Sequence, residues 1–99
     1  MVIAYYNTYQ LKPGTAQQFA EEIRASGCQD MLRGMTGNIY FDFMIPIDRE
    51  DVLIMSDCWA DEQAFEAHLD CPGVHVWHEV KDKYVIAKDC KRFEVEEIK

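Results

Sequence analysis

Apolar and polar positions alternate along the chain in a way that separates strands from helices. Residues 2–11, 38–45 and 52–59 are rich in β-branched and aromatic residues and predict three strands. A fourth predicted strand spans residues 90–98. The second and third strands are joined by a short, turn-rich connection, so we expect them to form an antiparallel hairpin.

Helical periodicity fills the intervals between these strands. Residues 15–33 predict one helix capped by its threonine, whereas residues 61–69 and 73–87 predict two more, with Pro72 in the first turn of the last. The inward stripe expected along the first helix consists of Ala16, Phe19, Ala20, Ile23, Gly27 and Met31.

The order β-α-β-β-α-β is the ferredoxin-like, split β-α-β arrangement, an α+β fold with an antiparallel sheet and helices on one face. The first strand is apolar or aromatic on both faces. We expect the face that bears Tyr6, Tyr40 and Met44 to be too aromatic to lie in water, since monomers tolerate apolar patches of only a few hundred Å². A second copy of the chain would cover it, so the pattern predicts a homodimer.

Composition narrows the function classes. The chain has 99 residues, of which 48% are hydrophobic, and we expect one folded domain over residues 1–99. The formal net charge of −8 disfavours nucleic acids and anionic membranes, and it favours a neutral, apolar or cationic ligand.

The cysteines and the first ten residues bear on location. We find no apolar stretch of membrane-spanning length and no basic segment typical of an export signal. We therefore expect reduced thiols and a cytoplasmic protein. The cysteines are Cys28, Cys58, Cys71 and Cys90.

The phosphate-binding motifs of nucleotide enzymes are missing. The sequence contains neither GxGxxG nor GxxxxGK[ST], and no serine lies in a nucleophile elbow. An enzyme with this sequence would therefore work without a nucleotide cofactor.

A pocket is indicated by the helix predicted after Trp59. Phe65, His68 and Leu69 share one inward face, and the imidazole is its only polar member. His68 is either a core histidine or a pocket residue. Trp59, at the end of a strand, is either core or an aromatic wall.

Asn7 is the one amide on the face of the aromatic first strand that bears Tyr5. A buried amide needs a partner. Asn7 therefore bonds either a neighbouring backbone group or a ligand. The predicted pocket contains Asn7, Trp59, His68 and either Trp77 or His78.

Two segments carry a family resemblance. The pattern Trp59-x-Asp61-Glu62-x-Ala64-Phe65-x-Ala67-His68-Leu69, together with Lys12-Pro13-Gly14, resembles the antibiotic biosynthesis monooxygenase family. The resemblance implies a dimeric α+β barrel built from two back-to-back sheets. It also implies oxidation of a phenolic or quinol substrate by O₂ without flavin or metal.

In that chemistry the deprotonated substrate gives an electron to O₂, the radicals combine, and the peroxide loses water to form a quinone. The resemblance suggests His68 as base or oxyanion partner, Asn7 as orienting hydrogen bonder and Trp59 as aromatic wall. The expected substrate contacts are Tyr5, Phe41, Phe65 and Trp77.

Heme-degrading enzymes of the same fold provide an alternative. Their asparagine and axial histidine correspond to Asn7 and His78, so heme is the alternative cofactor. His68 stands where these enzymes have a tryptophan that distorts the porphyrin, and this departure puts degradation in doubt. His78 is otherwise a surface histidine paired with an acid.

Further alternatives stay open. Relatives of the fold isomerise small carbonyl metabolites with a histidine, a role that His68 could serve, and a non-enzymatic ligand-binding dimer is compatible with the same residues. The cluster of His68, Cys71, His75 and His78 superficially suggests zinc. Pro72 separates its members into two helices, so we predict no metal site.

Overall fold

A computed structural model describes residues 1–98. The strands are β1 (Val2–Leu11), β2 (Asn38–Met44), β3 (Val52–Trp59) and β4 (Val85–Val95). The helices are α1 (Ala16–Ser26), α2 (Cys28–Arg33), α3 (Glu62–His68) and α4 (Pro72–Lys81).

The four strands form one antiparallel sheet in the order β2-β3-β1-β4. The predicted ferredoxin-like arrangement and the β2–β3 hairpin are therefore confirmed. In the register, Asp57 of β3 lies between Tyr5 of β1 and Phe41 of β2. Because paired residues point to the same side of a sheet, these three side chains share one face.

The first helical region differs from the prediction of one helix through residue 33. Gly27 adopts a left-handed conformation with φ of 73° and ends α1. This conformation suits glycine, which has no Cβ to clash. The change of direction buries Cys28 and Leu32 instead of the predicted Gly27 and Met31, and Met31 is 42% exposed.

The N-terminus of α1 also differs in detail from the prediction. Thr15 occupies the N-cap position, but its side chain makes no capping hydrogen bond. Instead, its Oγ1 donates to the Lys12 carbonyl oxygen at 2.7 Å. Asp61 does cap α3 as expected, since its Oδ1 accepts from the Ala64 amide at 2.8 Å.

The C-terminal boundaries predicted from the sequence are wrong. The last helix ends at Lys81 rather than near Ala87, and β4 begins at Val85 rather than Cys90. The apolar run that begins at Tyr84 fits either structure by its pattern. This segment forms a strand because it pairs with the end of β1, where Val85 lies opposite Leu11.

The helices pack on one sheet face and enclose the core. Its largest buried side chains are Trp59, Trp77, Phe19, Phe41, Ile3, Leu11, Leu32 and Leu53. The other face stays open and carries large apolar side chains, including Tyr6, Ile39, Tyr40, Met44, Phe93 and Val95. Within residues 1–98, no helix is long and apolar enough to cross a membrane.

Candidate functional site

A cavity of about 190 Å³ lies between the inner sheet face and helices α3 and α4. Its walls are apolar or aromatic at Tyr5, Tyr9, Phe41, Met55, Phe65, Leu69, Val74 and Trp77. Three largely buried polar side chains join these walls: Asn7, Asp57 and His68. At the mouth lie His78, Lys81, Lys88 and Cys90.

Strand alternation places the sheet side of this cavity. Tyr5 and Asn7 of β1 lie two residues apart and share a face with Asp57 and Met55, their partners on β3. The helix side comes from α3, which contributes Phe65 and His68, and from α4. The site is therefore built from elements that are distant in the chain.

Asn7 lies on the inner face, as strand alternation predicted. Its Nδ2 donates to the Met55 backbone oxygen at 3.2 Å, so the amide makes the backbone hydrogen bond that was one of the two alternatives. Asn7 also lines the cavity. The bond fixes its orientation, which suits an orienting group.

Asp57 is a site residue that the sequence reasoning missed. It is only 2% exposed, and its Oδ2 accepts a hydrogen bond from Trp59 Nε1 at 2.8 Å. Its Oδ1 is buried and has no hydrogen-bond partner among the described residues. Burial raises the pKa of Asp57 to about 6, although the Trp59 hydrogen bond lowers it in part.

A signal for Asp57 exists in the sequence. Leu53, Met55, Asp57 and Trp59 alternate along β3, so the carboxyl group takes a position whose neighbours are all core residues. Burying a charge is costly unless it is paired or neutralised, so such a position indicates function or strain.

His68 is buried under α3, where its Nδ1 bonds the Phe65 backbone oxygen. Because a carbonyl can only accept, this bond assigns the proton to Nδ1 and leaves Nε2 as the acceptor nitrogen. The ring stacks on Trp59 with centroids 4.3 Å apart. Burial lowers the pKa of His68, so the imidazole is neutral at pH 7.

Trp59 does not line the cavity, which corrects its expected role as an aromatic wall. The side chain is fully buried behind His68. One face of its ring supports the imidazole, and its N–H holds the Asp57 carboxyl group. Trp59 therefore positions two polar groups of the site.

The structure places all four predicted substrate-contacting residues in the cavity wall: Tyr5, Phe41, Phe65 and Trp77. Tyr5 and Phe65 stack with centroids 4.3 Å apart and planes 8° apart. The Trp77 ring packs edge-on against Tyr9, 5.6 Å away. These flat surfaces suit a planar ring as ligand.

The mouth is basic although the chain is acidic. Lys81 and Lys88 border it together with His78, whose pKa is lowered first by burial and then by these lysines, while Asp82 opposes the effect. Lys81 Nζ lies 3.8 Å from Asp82 Oδ1, so part of this positive charge is paired.

The heme alternative meets a problem of size. Asn7 and His78 do border the same cavity. However, its volume of about 190 Å³ is below the roughly 300–1,000 Å³ of pockets for drug-sized ligands. The cavity as packed is therefore small for a porphyrin.

A metal ion has no ligand set in the described part of the chain. There, no three His, Cys, Asp or Glu side chains are placed to bind one. His75, a member of the cluster considered for zinc, instead contacts Asp70, with Nε2 and Oδ1 2.8 Å apart.

The sequence matches the model of the family described as antibiotic biosynthesis monooxygenase over residues 2–80. No curated protein matches the chain.

Solved structures share the fold at low sequence identity. A conserved protein from Methanosarcina mazei is 14% identical, with a TM-score of 0.83, over 97% of this chain and 94% of that one. PA3566 from Pseudomonas aeruginosa is 17% identical, with a TM-score of 0.80, over 97% of this chain and 95% of that one. SnoaB, a cofactor-independent oxygenase from Streptomyces nogalater, is 13% identical, with a TM-score of 0.77, over 98% and 95%.

Proposed function

This chain belongs to the antibiotic biosynthesis monooxygenase family, and from this premise we propose that it is a cofactor-independent monooxygenase. Its substrate is a small, electron-rich phenol or quinol, which it oxidises with O₂. The observation that carries the proposal is the cavity itself, which combines flat aromatic walls with buried polar groups. SnoaB, described as a cofactor-independent oxygenase, supports it through the shared fold.

The chemistry converts a phenol and O₂ into a quinone and water. The phenolate gives one electron to O₂, the two radicals form a carbon–oxygen bond, and the resulting peroxide loses water. The chain supplies orientation, deprotonation and exclusion of water. Tyr5 and Phe65 contact the ring, while Asn7 orients it. Lys81 and Lys88 at the mouth stabilise negative charge on the substrate.

His68 provides an acceptor nitrogen in the cavity wall. With its Nδ1 proton bound to the Phe65 oxygen, Nε2 can accept a hydrogen bond from the substrate hydroxyl. Trp59 holds the imidazole ring by stacking. We expect His68→Gln to lower turnover by about 10²-fold or more, the usual contribution of a general acid–base group.

Oxygen uptake tests the proposal. Purified protein is mixed with a panel of phenols and hydroquinones, without added flavin, nicotinamide or metal and with a chelator present. We expect uptake above the autoxidation rate and incorporation of one labelled atom from isotopically labelled O₂ into the quinone. Asp48→Asn, which changes a carboxylate in the β2–β3 turn, is the matched surface control. Binding of the panel without any oxygen uptake would leave the isomerase and ligand-binder alternatives.

Hemin titration tests the heme alternative separately. Saturable binding with a Soret band that is lost in His78→Ala would establish His78 as the iron ligand, despite the small cavity. We expect no stoichiometric binding, because the cavity as packed is small for a porphyrin.

We also propose that the protein is a homodimer joined through the open sheet face. That face has exposed aromatic and aliphatic residues, among them Tyr6, Tyr40 and Phe93, and a second identical face is complementary by two-fold symmetry. Sedimentation velocity at micromolar concentration measures the mass, and a stable monomer would contradict the proposal. We also propose a cytoplasmic location, which the free cysteines support.

A further inference from the structure

One buried carboxyl oxygen at the cavity makes no hydrogen bond within residues 1–98. Asp57 is 2% exposed, and one of its carboxyl oxygens, Oδ2, is held by Trp59 Nε1 at 2.8 Å. The other, Oδ1, has no partner within residues 1–98, although the side chain lines the cavity. Native proteins rarely leave a buried acceptor unpaired, so a ligand donor is the natural partner of Oδ1.

We propose that Asp57 Oδ1 accepts the proton of a substrate hydroxyl group, and that the cavity selects hydroxyaromatic ligands for this reason. The inference rests on the proposed function and extends it to a residue outside the family resemblance. Tyr5 and Phe41 flank Asp57 on the neighbouring strands. A ring lying against these side chains would bring its hydroxyl group to the carboxyl oxygen.

The proton transfer is balanced within the cavity. The substrate O–H bond breaks, its proton moves to Oδ1, and the electron pair stays on the substrate oxygen as a phenolate. The protonated carboxyl group then donates a hydrogen bond back to that oxygen. In the peroxide formed with O₂, the ring C–H bond and the O–O bond then break as the new C=O bond forms, which releases hydroxide, and the proton on Oδ1 completes the departing water.

Asp57 is better placed for this transfer than the other polar residues. Asn7 has no titratable group, and burial lowers the pKa of His68, so its free Nε2 is a weaker base than an ordinary imidazole. A carboxyl group whose pKa is raised to about 6 is a stronger base than an ordinary aspartate and is still ionised at pH 7. The titratable groups that share the cavity with Asp57 are Tyr5, Tyr9, His68, His78, Lys81, Lys88 and Cys90.

Binding in the absence of O₂ tests the inference without requiring turnover. The probes are 4-methoxyphenol and its methyl ether, 1,4-dimethoxybenzene, in which a methyl group replaces the hydroxyl proton. We expect the wild-type protein to bind the phenol about tenfold or more tightly, as a hydrogen bond to a charged acceptor provides. In Asp57→Asn the amide oxygen must face Trp59 and its NH₂ group the ligand, so we expect the preference to fall to about one. Asp48→Asn should keep it.

Infrared difference spectra provide a readout that a structural role would not change. Binding of the phenol to the wild-type protein should shift the carboxylate stretching bands of Asp57, because its oxygen gains a hydrogen bond, and binding of the ether should not. This comparison needs no variant, so it stands even if Asp57→Asn fails to fold. Unshifted carboxylate bands, or an unchanged preference in folded Asp57→Asn, would overturn the inference.

The pH profile separates this inference from the proposed function. For a substrate that is oxidised, kcat/KM of the wild type should fall about tenfold per pH unit below about 6, and Asp57→Asn should lack this limb at a lower overall rate. Oxidation at an unchanged rate in Asp57→Asn would overturn the inference and leave the oxygenase. Phenol selectivity through Asp57 with no oxidation would overturn the oxygenase and leave the inference.

Discussion

The two faces of the sheet are similarly apolar in sequence, but helices cover only one of them. On β1, Tyr5 and Tyr9 point inward while Tyr6 points outward, and all three are aromatic. The inner face is covered by helices of the same chain. The outer face has no cover among the described residues, and Phe93 there is 49% exposed. Hydrophobicity alone therefore does not tell which face carries the site.

The polar residues distinguish the faces better. Asn7, Asp57 and His68 are the buried polar side chains of the described chain, and all three line the inner cavity. Buried polar groups are costly unless they are satisfied, so their grouping in one place indicates a binding surface rather than a packing accident. The outer face, with its exposed apolar groups, has the character of an association surface.

The largest expected contrast is in stability. Phe41 on the inner face is fully buried, so Phe41→Ala should lower the free energy of unfolding by about 3–5 kcal/mol. Phe93→Ala on the outer face should change it by less than about 0.5 kcal/mol in the monomer. Urea unfolding at a concentration below dimer formation measures both. Equal losses of unfolding free energy in the two variants would contradict the view that only the inner face is buried in the monomer.

Asp57 should make the covered face sensitive to pH. The pKa of this carboxyl group rises from its ordinary 3.8 to about 6 on folding, so the folded state favours the protonated form. The resulting stability is present below pH 4 and is lost as the pH rises through about 6, by about 3 kcal/mol. Unfolding between pH 4 and 7.5 should show this decline in the wild type relative to Asp57→Asn. Parallel curves for the two proteins would contradict it.

His68 acts with the opposite sign. Burial lowers its pKa, so its contribution is present above pH 6.5 and is lost as the pH falls through the folded-state value. Removing Asp57 should therefore leave a profile in which acid destabilises the protein. The double variant Asp57→Asn/His68→Gln should show a smaller loss of unfolding free energy in acid than Asp57→Asn alone.

Gly37 tests how closely the inner face is covered. Its φ is +83°, and a Cβ added there would lie 2.5 Å from the Ala64 Cβ of α3. We expect Gly37→Ala to cost about 1–3 kcal/mol from this overlap, in addition to backbone strain. Gly14→Ala is the matched control, because Gly14 also has a positive φ but a Cβ there meets nothing within 4 Å. Equal costs would mean that α3 can move aside freely.

The smallest expected effect concerns the cap of α3. Asp61→Ala removes the acceptor for the Ala64 amide and should cost about 1 kcal/mol. Because α3 supplies Phe65 and His68, we also expect weaker binding of the phenol probe. Asp48→Ala is the exposed control. An unchanged affinity would show that the cap matters only for stability.

Strand alternation and capping were enough to predict most of the fold from sequence. They placed β1, the β2–β3 hairpin and α3, and they assigned Asn7 and His68 to the inner face. They failed at Gly27, where a glycine suits both a helix interior and a left-handed turn, and at residues 84–90, where pairing with β1 overrides an ambiguous apolar run. Long-range pairing is not visible in a local pattern.

The site was predicted only in part, because some of its contacts also depend on residues that are distant in the chain. Asn7 and His68 stood out because each is the lone polar residue of an apolar stripe. Asp57 stands in an equivalent position, but its meaning depends on the hydrogen bond from Trp59 and on the unpaired oxygen. The position of Trp59 behind His68 likewise follows from packing of α3 on the sheet, which sequence spacing does not specify.

The seven residues of α3 have a consequence for how such proteins diversify. The helix is bounded by the Asp61 cap and by Pro72 at the start of α4, and it contributes part of the cavity wall while the main core is filled from α1, α2 and α4. Substitutions at Phe65 or Leu69 can therefore reshape the cavity at little risk to folding. Substitutions in this segment could change which ligands the cavity binds, both in evolution and in design, while the sheet and the other helices keep their structure.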